Sequence, residues 1–268
     1  MGGKYGRRLI QKVTEMNDRN PQAEKADTHF ERFQLAMANT ANRILAPGIE
    51  KNHAEIADSI EADLLGEDRP LVSGLINSRD ELFFCKAFYL LHEITLSVEC
   101  IEDIEVYLQN HQTSPVSQVR YLRYHVDGFL NELYILQERL LSYLDFIEKR
   151  YRRNRESKNI SERVTSLHGI IKNTLGPLMK TRGAHVHQSR YSDKYLDRVS
   201  SLSLLVELLS ADDVKMAYEK SLMVARIYWL DQVKAGIKLV RALLEGYFKN
   251  LHELLFDNDE KLKYPSCT

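Results

Sequence analysis

The segment Thr181-Arg-Gly-Ala-His-Val-His-Gln-Ser-Arg-Tyr191 sets one arginine and two histidines within six residues, Arg182 to His187. Arginine keeps its charge at every accessible pH, and its planar fork matches phosphate oxygens two at a time. Histidine titrates near neutrality, so it takes or gives a proton at cellular pH. Together they supply what metal-free cleavage of a ribose phosphodiester needs: a base for the 2′-hydroxyl and a cation for the charge gathering on phosphorus. Arg182 and His187 are the candidate catalytic pair; His185, Lys180, Arg190 and Tyr191 are candidate substrate-binding neighbours. Gly176-Pro177 is expected to end the preceding helix and Ser192 to open the next. That places the cluster on a loop, beside free backbone N–H groups that favour anions and open to a long polymer.

Other readings of the same residues stand beside this one. His185 and His187, two positions apart, converge on a metal only along an extended segment, and no nearby cysteine or carboxylate completes a ligand set. No metal and no cofactor is expected. The cluster also reads as a cap and salt-bridge patch for the following helix, or as a nucleic-acid or nucleotide site without turnover.

Composition narrows the setting. Hydrophobic residues make up 44% and charged residues 28% of 268, a globular balance with enough material for a buried core. The net charge of -1 hides an asymmetry: Lys149 to Arg198 holds thirteen Lys or Arg against four acids. Such a block attracts polyanions, phosphate above all, or forms a solvated face. No apolar run approaches the roughly 18 to 20 residues of a membrane span. No charged-then-apolar leader opens the chain, and Gly6 stands where acylation needs Ser or Thr. A cytoplasmic protein without membrane contact is expected. Cys85, Cys100 and Cys267 lie too far apart for a metal site, and the first two are expected as core thiols.

Periodicity requires helices. From Leu122 the apolar residues Val126, Phe129, Leu133, Leu136, Leu140, Leu144, Ile147 and Tyr151 follow at steps of three or four. Phe84, Phe88, Leu91, Ile94, Val98, Ile101 and Leu108 mark a second long helix, joined to the first by a polar turn at Pro115. A third stripe runs from Met223 through Ile227, Leu230, Val233, Ile237 and Val240 to Leu255, with Gly236 and Gly246 permitting close approach or a bend. Shorter helices are expected after Asp27 or Thr28, from Ser161 to the Gly176-Pro177 break, from Ser192 to 209, and from Ser210. The expectation is an all-α, elongated antiparallel helical bundle. Its parts are an N-terminal helical region (1–80), a four-helix core (81–210) and a long C-terminal helix (211–268) packing on the core or on a dimer partner.

Arg182-Gly-Ala-His-Val-His187 has the R-x-x-x-x-H spacing of the HEPN superfamily, which this chain resembles over roughly its middle half. The resemblance implies a bundle of about four helices around residues 81–210, with the motif between the third and fourth. It implies a metal-independent endoribonuclease of toxin or phage-defence type, completed across a homodimer and paired with an inhibitory partner protein. On that reading Arg182 binds phosphate, His187 is the acid and base, and RNA is the substrate. The alternative, from another class, is a catalytically inactive helical interaction or nucleic-acid-binding protein.

Remaining candidates read more simply as structure. His92, His125 and His168 flank apolar stripes as core or boundary histidines. Glu132 and Glu138 are available to orient the motif but suit exposed salt bridges better. Tyr121, Tyr124 and Tyr134 sit among charges where bases would stack, though packing is the commoner use. Trp229 is expected in the core or an interface.

Overall fold

The computed structural model describes residues 27–52, 78–110, 117–154, 157–186, 193–209 and 211–265, without the side chains of 46–47, 49–51 and 178–186. Six helices occupy them: α1 His29–Lys51, α2 Arg79–Gln109, α3 Gln118–Tyr151, α4 Ser157–Val186, α5 Lys194–Leu209 and α6 Asp212–Leu255. Among the described residues no strand forms, only an isolated bridge between Phe256 and Leu262. The chain is all-α there, and none of these helices is long and apolar enough to cross a membrane.

Two helices start on reciprocal capping boxes, which satisfy backbone N–H groups that the first turn leaves unpaired. At α1 the Glu31 N–H donates to Thr28 Oγ1 (3.1 Å) and the Thr28 N–H donates to Glu31 Oε2 (2.9 Å). The Thr28 N–H is the largest influence holding the Glu31 carboxyl below its ordinary range. Ser78 and Glu81 repeat the pattern at α2, at 3.1 and 3.0 Å.

The contacts divide into two compact units, each assembled from separated stretches. The first takes the described residues up to Glu93, Leu141–His168 and those from Leu244 onward. Its centre is aromatic: Phe33 lies 5.0 Å from Phe248, 5.7 Å from Phe256 and 6.5 Å from Tyr143, ring centre to ring centre. Tyr143 and Tyr247 are fully buried beside them, and burial pushes both phenols well above their ordinary range. The chain after α6 closes on this centre: Phe256 pairs with Leu262, and the Tyr151 hydroxyl donates to the Lys263 carbonyl.

The second unit comprises Ile94–Leu140 and Gly169–Leu243. Here Arg139 donates to the buried Ser97 hydroxyl at 2.6 Å. Gly236 of α6 lets the ring of Phe129 come so close that a Cβ there would stand 2.5 Å from Phe129 Cζ.

Three local expectations are corrected. The helix expected to stop at Gly176-Pro177 runs on to Val186, and it starts at Ser157, before Ser161. Ser161 is not a cap; its hydroxyl donates to Glu148 Oε1 at 2.5 Å. Cys100 is exposed, because Ser97, Val98, Ile101 and Ile104 take the inner face and turn position 100 outward. Cys85 is buried, which raises its thiol to about 11.

The two glycines of α6 separate the effects of crowding and propensity. Gly236→Ala should lower unfolding stability by about 1–3 kcal/mol through overpacking against Phe129. Gly246→Ala, with nothing within 4 Å of its added Cβ, should raise it by about 0.5–1 kcal/mol. Urea unfolding of both variants measures the opposite signs.

Candidate functional site

The backbone of α4 carries Lys180, Arg182 and His185 in its last two turns. His187, Arg190 and Tyr191 lie outside the described residues. Arg182 and His185 therefore sit on a helix rather than beyond one. A proline inside a helix costs the bond its missing N–H would make to the carbonyl four residues back, and its ring crowds that carbonyl. At Pro177 that carbonyl belongs to Asn173, and both residues are exposed, so solvent can take the vacated acceptor. Leu175 and Ile171, on the inner side, are buried and anchor the helix leading up to the defect.

The following helix is fixed from two directions. Asp193 Oδ1 accepts from the Tyr195 N–H (2.7 Å) and the Leu196 N–H (2.9 Å), capping α5 one residue after the expected Ser192. From α3, Arg123 donates through Nε to Ser200 Oγ (3.0 Å) and pairs with Asp197 at 3.5 Å. Leu196 and Val199 are the buried residues of α5. The second half of that helix is not covered: Leu204 is 62% and Leu208 77% exposed, with Leu205 and Leu209 also open to solvent.

The other candidates resolve one by one. His125 is buried among Tyr107, Tyr121 and Tyr124 at ring distances of 5.0, 4.4 and 5.4 Å. Burial lowers its pKa, so the neutral ring is favoured. The Tyr121 hydroxyl donates to the Tyr107 carbonyl (3.0 Å), which makes that ring a packing element of the α2–α3 contact. Tyr124 presents an open ring, Tyr134 a half-buried one. His168 Nε2 lies 3.0 Å from Asp145 Oδ1 in the first unit. His92 is half-buried and Glu138 exposed. Glu132 lies near Cys100, where burial first and its charge second raise the thiol. Trp229 is buried, with Tyr228 edge-on at 5.8 Å. Among the described residues no group of three or more His, Cys, Asp or Glu is placed to hold a metal.

Periodicity alone gave no sign of one feature. In the second unit a pocket of about 400 Å³ opens between the end of α2, the start of α3 and α6. Met223 and Ile227, the first two residues of the third stripe, line it and are 58% and 53% exposed. Beside them Arg226 donates through Nε to the Leu108 carbonyl (2.8 Å) and through Nη2 to the Gln109 carbonyl (2.5 Å). An arginine inside an apolar stripe was the available signal.

Replacing Pro177 tests where the motif sits. If α4 is continuous, Pro177→Ala removes a helix defect and should raise stability by about 1–3 kcal/mol. On a loop the same change would lower it by about 0.4–1 kcal/mol, through a freer unfolded chain. Urea titration gives the sign. No protein-family model, no curated protein and no solved structure matches this chain.

Proposed function

We propose that the chain is a HEPN-like helical bundle that cuts RNA without a metal, as a homodimer. The observation that carries this reading is the Arg182-x-x-x-x-His187 spacing inside the basic block from Lys149 to Arg198. The helix order supports it: two long helices, α2 and α3, precede the helix that carries Arg182, and α5 follows the motif. An antiparallel α2–α3 pair is supported within the second unit, where later residues of α2 meet earlier residues of α3. Ser97 meets Arg139, and Tyr107 meets Tyr121.

The chemistry follows from the side chains. His187 takes the proton from the ribose 2′-hydroxyl, whose oxygen attacks phosphorus and expels the 5′-oxygen. The products are a 2′,3′-cyclic phosphate and a 5′-hydroxyl. Arg182 holds the non-bridging oxygens as charge collects on them. His187 of a second copy returns a proton to the leaving oxygen. His185, Lys180, Arg190 and Tyr191 hold the flanking strand.

A second copy also accounts for α5. Leu204, Leu205, Leu208 and Leu209 recur at helical spacing on an uncovered face. The start of the helix carries Lys194 and Arg198 against Asp193 and Asp197, and Glu207 lies toward its end. A two-fold antiparallel pairing of α5 with its copy would bury these leucines against one another. The same face favours a second reading, a catalytically silent interaction protein that pairs through α5.

Total RNA incubated with the chain and EDTA should yield fragments with cyclic-phosphate ends. Arg182→Ala and His187→Ala should each slow cleavage at least a hundredfold. Equal cleavage by the native chain and His187→Ala, or none by either, rules out the nuclease. Sedimentation measures the pairing separately: Leu204→Lys with Leu208→Lys should convert a dimer to a monomer of unchanged helicity. A native chain that is monomeric at tens of micromolar removes the self-pairing.

A further inference from the structure

We propose that the pocket beside Arg226 is a binding site for a small, medium-chain aliphatic carboxylic acid. Its volume of about 400 Å³ holds roughly ten to thirteen water-sized groups at about 30 Å³ each, the size of an eight-carbon acid. Leu108, Leu122, Leu222, Met223, Ile227 and Leu230 give it an apolar lining. An alkyl chain there removes two large exposed side chains, Met223 and Ile227, from water.

The acid end is specified by Arg226. A guanidinium has two forked edges, and the Nε/Nη2 edge is committed to the Leu108 and Gln109 carbonyls at the end of α2. That clamp fixes the group in place at the pocket wall. It leaves the opposite edge, Nη1 with the second Nη2 hydrogen, matched to a carboxylate. The last turn of α2 holds no basic residue of its own, so Arg226 also answers that helix dipole, roughly half a charge. A net positive charge remains. No ion pair joins Arg226 to a carboxylate among the described residues. Glu219, seven positions earlier on α6, lines the same pocket about two turns, ~10 Å, away along the helix. Its charge rejects a second anion at that end and sets the ligand's direction: carboxylate at Arg226, alkyl chain along Met223 and Ile227.

Calorimetry of the full chain with octanoate, octan-1-ol and octylamine tests the assignment. Octanoate should bind at least tenfold more tightly than octan-1-ol. Ile227→Trp, a substitution at an exposed position that fills the space, should weaken both at least tenfold. Arg226→Gln should erase the preference for the acid while leaving octan-1-ol within twofold. Should Arg226→Gln lose helicity by circular dichroism, Ile227→Trp and the ligand series decide alone. Equal affinity for acid and alcohol, tighter binding of octylamine, or octanoate binding untouched by Ile227→Trp overturns the proposal. So does octanoate affinity that falls as protein concentration rises, since a second copy of the chain then fills the pocket. The RNA cleavage assay is independent of every one of these outcomes.

Discussion

Nine side chains of α3, from Leu122 at its start to Tyr151 at its end, lie on one face, and all are withdrawn from water. Each is worth about 1.5–3 kcal/mol when fully buried, an upper figure because the unfolded chain already hides part of its surface. A 34-residue helix with this stripe is stable only where neighbours cover it along its whole length. In the first unit that means the Phe33 cluster and Phe83, whose ring stacks on Phe146 at 5.5 Å. In the second it means α6, where Gly236 yields to Phe129. The same helix then has an outer face free for charge. From there Arg123 reaches the helix after the motif, so the core and the region around the candidate site depend on one element.

Periodicity made most of this legible. Every residue of the α2 and α3 stripes is buried, because steps of three and four permit no other shared face on a helix. The Thr28 box was visible too, since its two side chains need only local geometry. Three signals misled for a common reason: they describe a residue without its surroundings. Pro177 is a helix breaker by itself, yet α4 runs through it to Val186, and the carbonyl it leaves without a partner belongs to an exposed residue, Asn173. Cys100 follows the apolar Val98 in sequence yet lies outside the arc that Val98 and Ile101 define. Met223 and Ile227 open an apolar stripe, but the buried positions on the same turns are Leu222, Ala225 and Trp229, so the covered face there lies beside the stripe. A stripe reports which face is apolar; which arc of the helix is covered depends on where the neighbouring helices lie.

The candidate site divides along the same line. Its residue types and spacing were readable, because Arg and His carry their chemistry wherever they stand. What the spacing means geometrically was not. Five residues from Arg182 to His187 span a short arc on a loop but nearly one and a half turns on a helix. With α4 running to Val186, Arg182 belongs to the helix, and His187 lies outside the described residues. The described chain resumes at Asp193, the cap of α5.

Along the chain the basic block and the uncovered leucines of α5 follow one another without overlapping. The basic excess ends at Arg198; the uncovered leucines begin at Leu204 on the same helix, and the pocket on α6 lies farther along the chain. A polyanion gains from cations whose charge is fully hydrated nearby, whereas an apolar partner gains only where water leaves. Mixing the two on one face would weaken both, since each buried leucine would strip solvent from a lysine or arginine that must remain charged. Arg226 is the exception that obeys the same rule: it stands among apolar side chains because two backbone carbonyls replace the water it gives up.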